Sequence, residues 1–325
     1  MKAAIVLVGD APHIARQAAD MAGLVSALAD GISALDLWLI HTGRPPGSVP
    51  QWDVPLSHIY LMKTSAPFLP EQLLDMLSRT VQKCPKDLYF FGSATLSQTL
   101  AVRMGYRLKG SFCSQVETCT LQDKTSLVAG RSVYGSHMQA QFLLDKKPWC
   151  LSAARTAGSL LKSVAPGCPV TDVPCDGFAQ PGWLKSVESL SNGEAQVSVL
   201  EGAARILVLG NGISTKKKLD RIMPVAGSLD AEIAASRPVV MNGWLPMDRL
   251  IGVSGAVVSP ALCIVAGVSG TGVFSAGIKN AQFIVAINTD PDAPVFKKAD
   301  VGIVDDLTAV LSALDLLIRE RKKNG

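Results

Sequence analysis

The sequence lacks most of the residue patterns on which common catalytic and metal chemistry is built. Its seven cysteines, at positions 84, 113, 119, 150, 168, 175 and 263, form no Cys-x-x-Cys pair, and its four histidines lie apart from them. A zinc site and a disulfide framework are therefore not expected, and the odd, scattered count fits buried free thiols in a reducing compartment. Charged residues make up only 18% and the net charge is +4, with Lys216–Lys218 and Arg319–Lys323 as the only basic clusters. Without a basic stripe interleaved with aromatics, nucleic-acid binding has no support, and both clusters read as solvated helix ends.

Catalytic signatures are equally scarce. Gly252-Val253-Ser254 and Gly267-Val268-Ser269 do not complete G-x-S-x-G, no glycine loop runs into Lys-Ser/Thr, and H-E-x-x-H is absent. The acidic residues of Asn288–Pro294 come with two prolines and no turn glycine, which argues against a calcium loop, so no metal is expected. Met1–Val8 enters an apolar strand pattern directly, with no charged leader, signal segment or transit segment, and the expected location is cytoplasmic. Leu250 to Ile278 carries no charge and is long enough to cross a bilayer, but Pro260 and many Gly and Ser divide it into short runs. Buried parallel strands with glycine-rich loops give that pattern, so membrane insertion is not expected.

What the chain has is apolar residue in quantity, 48% over 325 residues, enough for large cores and more than one core usually organises. Two domains are expected, residues 1–200 and 201–325, with the Ser- and Gly-containing stretch Ser186–Gly202 as the junction. In the first half, strands are predicted at Ala3–Val8, Leu35–Ile40, His58–Met62 and Leu88–Phe91, alternating with helices at Ile14–Ala29, Pro70–Val81 and Leu96–Arg107. Further strand-like segments lead to Trp149–Ala154. After the junction come a strand at Arg205–Leu209, a helix over Thr215–Val225 capped by Ser214, and a strand at Ala231–Ala235. Ser236-Arg237-Pro238 places a capping residue and an early proline at a new helix start. Strands at Ala261–Ala266, Phe283–Ile287 and Gly302–Val304 and a helix over Leu307–Arg319 close the chain. The alternation defines an α/β fold: an N-terminal α/β nucleotide-binding-like domain and a C-terminal Rossmann-like domain with a parallel sheet.

Three strand-to-turn junctions in the second domain are rich in small residues: Gly210-Asn211-Gly212, Gly252-Val253-Ser254-Gly255 and Gly267 to Gly272. Glycines there let backbone N–H groups close on an anion, and a phosphate is the expected guest. Gly270-Thr271-Gly272-Val273-Phe274-Ser275 approaches the dinucleotide fingerprint, with Ser275 in the place of its last glycine.

The order of these motifs resembles the electron-transfer flavoprotein α-subunit family. The likeness is concentrated in Pro260–Gly270, Ala276–Lys279, Ile284–Phe296 and Ala299–Leu307. It extends upstream to Ser236–Val240 and Gly252–Gly255, and more loosely to Phe91–Thr95, Leu100–Arg103 and Tyr134-Gly135. The resemblance implies an FAD-binding C-terminal domain. Ser236 and the Ser269-Gly270 turn would donate to the diphosphate, with Thr271 and Gly272 beside them among the cofactor-binding residues. Arg237 would lie by the flavin ring, with Gly252, Val253, Ser254 and Gly255 facing it and the Ser254 hydroxyl reaching flavin N5. Val273 and Phe274 would complete the ring pocket, and Asn288, Asp306 and Leu307 would hold the adenosine end. It also implies a carrier without substrate turnover of its own, paired as a heterodimer with a β subunit. The carrier would take electrons from an acyl-CoA-type dehydrogenase of fatty acid β-oxidation and pass them to a membrane or soluble acceptor oxidoreductase. Two other readings of the residues stand beside it: a flavin-free scaffold of the same fold, and an oxidoreductase binding NAD at the Gly270-Thr271-Gly272 turn.

Three positions depart from the family pattern. Phe274 stands where a histidine is expected near the flavin C2 carbonyl, Gly212 where an arginine is usual, and Val253 where a glutamine is common. Fewer polar groups around the ring imply a lower flavin potential than in typical relatives.

Overall fold

In unbroken apolar strands such as Ala3–Val8, neighbouring side chains point to opposite faces, so both faces of the sheet must be covered. The computed structural model, which describes residues 1–9, 11–64, 69–134, 138–156, 161–173, 182–186, 200 and 203–324, shows how each sheet is covered. The chain divides into two compact units. One comprises Met1–Val133 and Met138–Gly193, the other Tyr134–His137 and Glu194–Gly325. Of the expected junction, only Ser186 and Leu200 lie among the described residues.

The first unit is built from β1 (Lys2–Val8), α1 (Ala11–Ala27), β2 (Ala34–His41), β3 (Val49–Pro50), β4 (Leu56–Lys63), α2 (Pro70–Lys83), β5 (Leu88–Phe91) and α3 (Thr95–Arg107). It continues with β6 (Ser111–Val116), β7 (Thr118–Leu121), β8 (Leu127–Val133), β9 (Met138–Leu144), β10 (Trp149–Ala153), β11 (Ser163–Val164) and β12 (Val170–Val173). Seven strands form one sheet in the order β12-β4-β2-β1-β5-β10-β6, and every neighbouring pair in it is parallel. Ala3, Ile5 and Leu7 pack on one face with Ile14, Met21 and Leu24 of α1, while Ala4, Val6 and Val8 pack on the other with Leu73 and Leu77 of α2 and Leu100 of α3. This two-sided burial is the physical reason for the continuous apolar runs. An antiparallel trio, β7-β8-β9, accounts for the strand-like segments before Trp149.

Where strand order reverses in this sheet, between β1 and β5, a crevice would open at the carboxyl ends of the strands. Here the chain fills it. The Gln17 amide nitrogen donates to the Val8 carbonyl at 2.7 Å, its oxygen accepts from the Ser97 hydroxyl at 3.1 Å, and a Cβ on Gly92 would lie 2.5 Å from that oxygen. One turn on, buried Asp20 accepts from Arg16 at 3.0 Å, from the Thr156 amide at 2.9 Å and from the Ser93 hydroxyl.

The second unit contains β13 (Arg205–Leu209), α4 (Lys216–Leu229), β14 (Glu232–Ala235), α5 (Arg237–Met241), β15 (Leu262–Ala266), α6 (Gly272–Ile278), β16 (Ile284–Asn288), β17 (Val301–Val304) and α7 (Leu307–Asn324). Its five strands are parallel in the order β14-β13-β15-β16-β17. Ile206 and Val208 pack with Phe274 and Ile278 of α6, and Leu207 and Leu209 with Leu219 and Ile222 of α4 and Leu307 and Leu311 of α7.

Two local expectations are corrected. Thr215, not Ser214, caps α4: its backbone is extended and its side-chain oxygen accepts from the Lys218 amide at 3.3 Å. Ser214 sits at φ +62° in the preceding turn, a geometry that cannot begin a helix. The helix also runs past Val225 to Leu229, with Pro224 inside it. No helix among the described residues is long and apolar enough to cross a membrane; the uncharged stretch from Leu250 resolves into turns, β15 and α6. Cys113, Cys119, Cys150 and Cys263 are buried free thiols and Cys84 and Cys168 are half-buried, while Cys175 lies outside the described residues. Burial pushes the Cys119 and Cys263 thiols up to about 12, so neither is poised to react.

Candidate functional site

Strand order in the second unit reverses between β13 and β15, and there the carboxyl edge of the sheet opens into a cavity of about 620 Å³. The reversal sends the chain away on opposite sides of the sheet, leaving a crevice between the two departing loops. The glycines make its floor. The Gly212 amide donates to the Gly267 carbonyl at 2.9 Å, and a Cβ on Gly210 would lie 2.1 Å from the same oxygen. Gly267 has φ +66°, and a Cβ there would meet Leu307 at 2.6 Å. Only glycine satisfies both the left-handed backbone and the close approach.

Around this floor, Ser236, Arg237, Gly252 and Ser254 line one side. Ser236 occupies the cap position of α5 with extended backbone but makes no capping hydrogen bond to the helix, so its buried hydroxyl is left for the cavity. Ser269 and Thr271 from the turn after β15, Val273 and Phe274 from the start of α6, which packs against Gly252, and Asn288 at the end of β16 complete the lining. Nine of the fifteen residues expected at the site therefore share one cavity. The other six are not among its lining residues. Val253 is 63% exposed, and its amide donates to the Val273 carbonyl at 3.1 Å. Gly255 folds against Leu250, where a Cβ would lie 2.3 Å from the Leu250 carbonyl oxygen. Gly270, at φ +81°, packs on Val295, and Gly272 begins α6. Asp306 caps α7 by accepting from the Thr308 and Ala309 amides at 2.9 and 3.1 Å. Those hydrogen bonds, the Ala309 bond foremost, hold its carboxyl below the usual range. Leu307 belongs to the core beneath Gly267.

Leu250, Ile251, Asp290 and Pro294 also line the cavity without being expected there, as does Asn211, which belongs to one of the turns expected to take a phosphate. Asn211, Asp290 and Pro294 lie in the segments just after β13 and β16, whereas Leu250 and Ile251 follow a 3-10 helix at Met247–Arg249, far in sequence from any strand end before them. Among the described residues lining the cavity, Arg237 is the only cation and Asp290 the only carboxylate, with no Cys, His, Lys or Tyr. The near-fingerprint is also explained. The Ser275 hydroxyl donates to the Gly270 carbonyl at 3.1 Å, and close packing falls to Gly277, whose Cβ would lie 2.5 Å from the Gly252 nitrogen.

A parallel sheet with helices on both faces and a glycine-floored crevice at the reversal of strand order defines a doubly wound α/β protein, a class in which ligands lie at such a crevice. Residues 199–279 match the family described as the electron transfer flavoprotein FAD-binding domain. YgcQ of Escherichia coli (strain K12), which bears the name of an electron transfer flavoprotein subunit, is 38% identical over 248 residues, 76% of this chain and 84% of that protein. The electron transfer flavoprotein subunit alpha of Thermoanaerobacterium thermosaccharolyticum is 29% identical over 76% of this chain and 74% of its own length. LctC of Acetobacterium woodii, a subunit of a lactate dehydrogenase (NAD(+),ferredoxin), is 27% identical over 79% of this chain; the match spans 62% of that longer subunit. This chain belongs to the electron-transfer flavoprotein α-subunit family.

Proposed function

We propose that the second unit binds FAD in the switch-point crevice and that the chain is the flavin-bearing α subunit of a heterodimeric electron carrier. The observation that carries this reading is the cavity itself. Its volume lies in the range of cofactor sites, its floor admits no side chain at Gly212 or Gly267, and its rim holds the unbonded Ser236 hydroxyl. The loops after β14 and β16 are three strand spacings apart, about 14 Å, a span suited to a dinucleotide lying across the sheet edge. In this pose the Ser236 and Ser269 hydroxyls and the Gly210–Gly212 turn face the diphosphate. Leu250, Ile251, Val273 and Phe274 give an apolar seat to the ring, with Arg237 beside it. Bound flavin supplies reversible acceptance of electrons, and the residues supply binding, orientation and a fixed positive charge.

With Arg237 and Asp290 as the only ionisable groups in the wall among the described residues, these supply no acid and base pair to run a reaction on a substrate, which favours a carrier over an NAD-dependent enzyme. Partners are a β subunit, a donor dehydrogenase of the acyl-CoA type and an acceptor oxidoreductase, in the cytoplasm. A hydroxy-acid dehydrogenase is the second reading for the donor, favoured by the likeness to LctC. The test is a visible spectrum of the chain co-expressed with its β subunit, followed by identification of the released flavin. One FAD per heterodimer is expected, and a folded but colourless complex would overturn the reading in favour of a flavin-free scaffold.

A further inference from the structure

The two charges of the crevice lie at opposite ends of it. Arg237 follows β14 and Asp290 follows β16, and these strands are separated by β13 and β15, so the loops that carry them stand about 14 Å apart. Between them the floor is neutral and small, formed by Gly212, Gly267 and Ser269. A ligand lying along this crevice meets a cation at one end and a carboxylate at the other.

The carboxylate is held in place by the protein's own hydrogen bonds. The Asp290 amide donates to the Asn288 side-chain oxygen at 3.1 Å, the Asn288 amide group donates to the Val268 carbonyl at 2.9 Å, and the Asp290 carbonyl accepts from the Ala293 amide at 3.2 Å. One carboxylate oxygen, Oδ1, accepts from the Asp292 amide at 3.0 Å. The other, Oδ2, has no protein partner among the described residues. Asn288 therefore ties the β15–α6 turn to the Asp290 turn, and Asp290 is left with one fixed, charged acceptor at the end of the crevice remote from Arg237.

An ionised carboxylate accepts hydrogen bonds and donates none. Of the chemical groups on an adenine nucleotide, the sugar hydroxyls and the adenine amino group donate to it and phosphates are repelled by it, and of the two donors only the ribose carries a site that a 2′-phosphate would occupy. We infer that Asp290 is a specificity-determining residue of the crevice: its free oxygen accepts from the ribose hydroxyls of the adenosine half, and its charge rejects a phosphate at that position. This rests on the FAD reading above and deepens it. The crevice then selects a dinucleotide with an unmodified adenosine ribose, over a flavin mononucleotide that never reaches Asp290 and over an adenosine ligand phosphorylated on its 2′ hydroxyl.

The experiment uses the full chain stripped of flavin, with FAD, FMN, ADP and 2′-phosphorylated ADP as probes, and affinities measured by calorimetry. Asp290→Asn keeps an oxygen for the Asp292 amide and removes the charge; Asp290→Ala removes both, and circular dichroism and melting curves report the fold of each. In the wild type, ADP is expected to bind at least about tenfold more tightly than its 2′-phosphorylated form. Both variants should lose about tenfold in FAD and ADP affinity, hold FMN within about twofold, and narrow the ADP to 2′-phospho-ADP ratio by about tenfold. In the wild type alone, raising the salt concentration should narrow the same ratio, because it screens repulsion between exposed charges; this readout does not depend on either variant folding. Unchanged FAD to FMN and ADP to 2′-phospho-ADP ratios in both variants, with FAD bound, would overturn the role of Asp290 and leave the FAD reading intact. A salt-independent ratio in the wild type would also overturn the role. A wild-type chain that binds neither FAD nor ADP would overturn both.

Discussion

Gly212 and Gly267 meet backbone to backbone: the Gly212 amide donates to the Gly267 carbonyl at 2.9 Å, and a Cβ on Gly212 would lie 2.8 Å from the Gly267 Cα. The arginine usual in relatives at this turn has no room at position 212, and Gly212 and the neighbouring Asn211 both line the cavity. Gly267→Ala should therefore destabilise the second unit by about 2 kcal/mol or more, because it imposes both a left-handed backbone and a clash with Leu307. Denaturant unfolding followed by circular dichroism measures this; a loss under about 0.5 kcal/mol, the range of a neutral surface change, would show that the two loops can part freely.

Arg237 is exposed in the cavity wall and is its only cation among the described residues. Replacing it with alanine should leave FAD bound but lower the reduction potential, by about 1 kcal/mol or more of lost charge stabilisation. Arg237→Lys should recover part of the loss. Spectroelectrochemical titration of the purified variants reads this, and an unchanged potential in Arg237→Ala would place the flavin ring away from α5.

Phe274 is 5% exposed and belongs to the core formed with Ile278 and Val265 while also lining the cavity. Phe274→His should raise the flavin potential by adding a hydrogen-bond donor, at a cost of about 1–3 kcal/mol in stability for burying a polar ring in an apolar seat. A titration in parallel with a melting curve separates the two effects. Lost stability with no change in potential would mean that position 274 serves only packing.

Asp306→Ala should cost about 1 kcal/mol, the usual value of a helix cap. The sign of its pH dependence follows from the lowered carboxyl pKa, caused chiefly by the Ala309 amide and then by the Thr308 amide. The stabilisation is present above the unfolded carboxyl value, about 3.9, and is lost as pH falls through the folded one. The stability gap between wild type and variant should thus hold at neutral pH and close in strong acid. A gap that persists in strong acid would assign the effect to something other than the charged cap.

Much of the architecture was legible because its signals are local. The run Ala3–Val8 reads as a strand buried on both faces, and β1 with its helices on either side is what such a run requires. Gly267 was legible as a turn residue since its position after an apolar strand demands a special backbone. The remainder depends on contacts between distant segments. Asp306 is expected at the adenosine end from the family resemblance alone, and its second task, capping α7 through the Thr308 and Ala309 amides, shows only once the helix start is placed. Ser214 and Thr215 offer the same oxygen at adjacent positions, and only the preceding turn decides which one faces the Lys218 amide. Asp290 entered the site through the pairing of β15 with β16, which brings Asn288 beside Val268.

The first unit carries the same kind of reversal in strand order, but Gln17 and Asp20 already occupy its crevice. Side chains tethered to α1 are present there at an effective concentration that a free nucleotide cannot match. An incoming molecule would have to break the Gln17 bonds to Val8 and Ser97 before making any of its own. The two halves of the chain thus differ in vacancy: in one the crevice is taken up by an amide that the chain itself supplies, and in the other it stays open as a cavity of about 620 Å³.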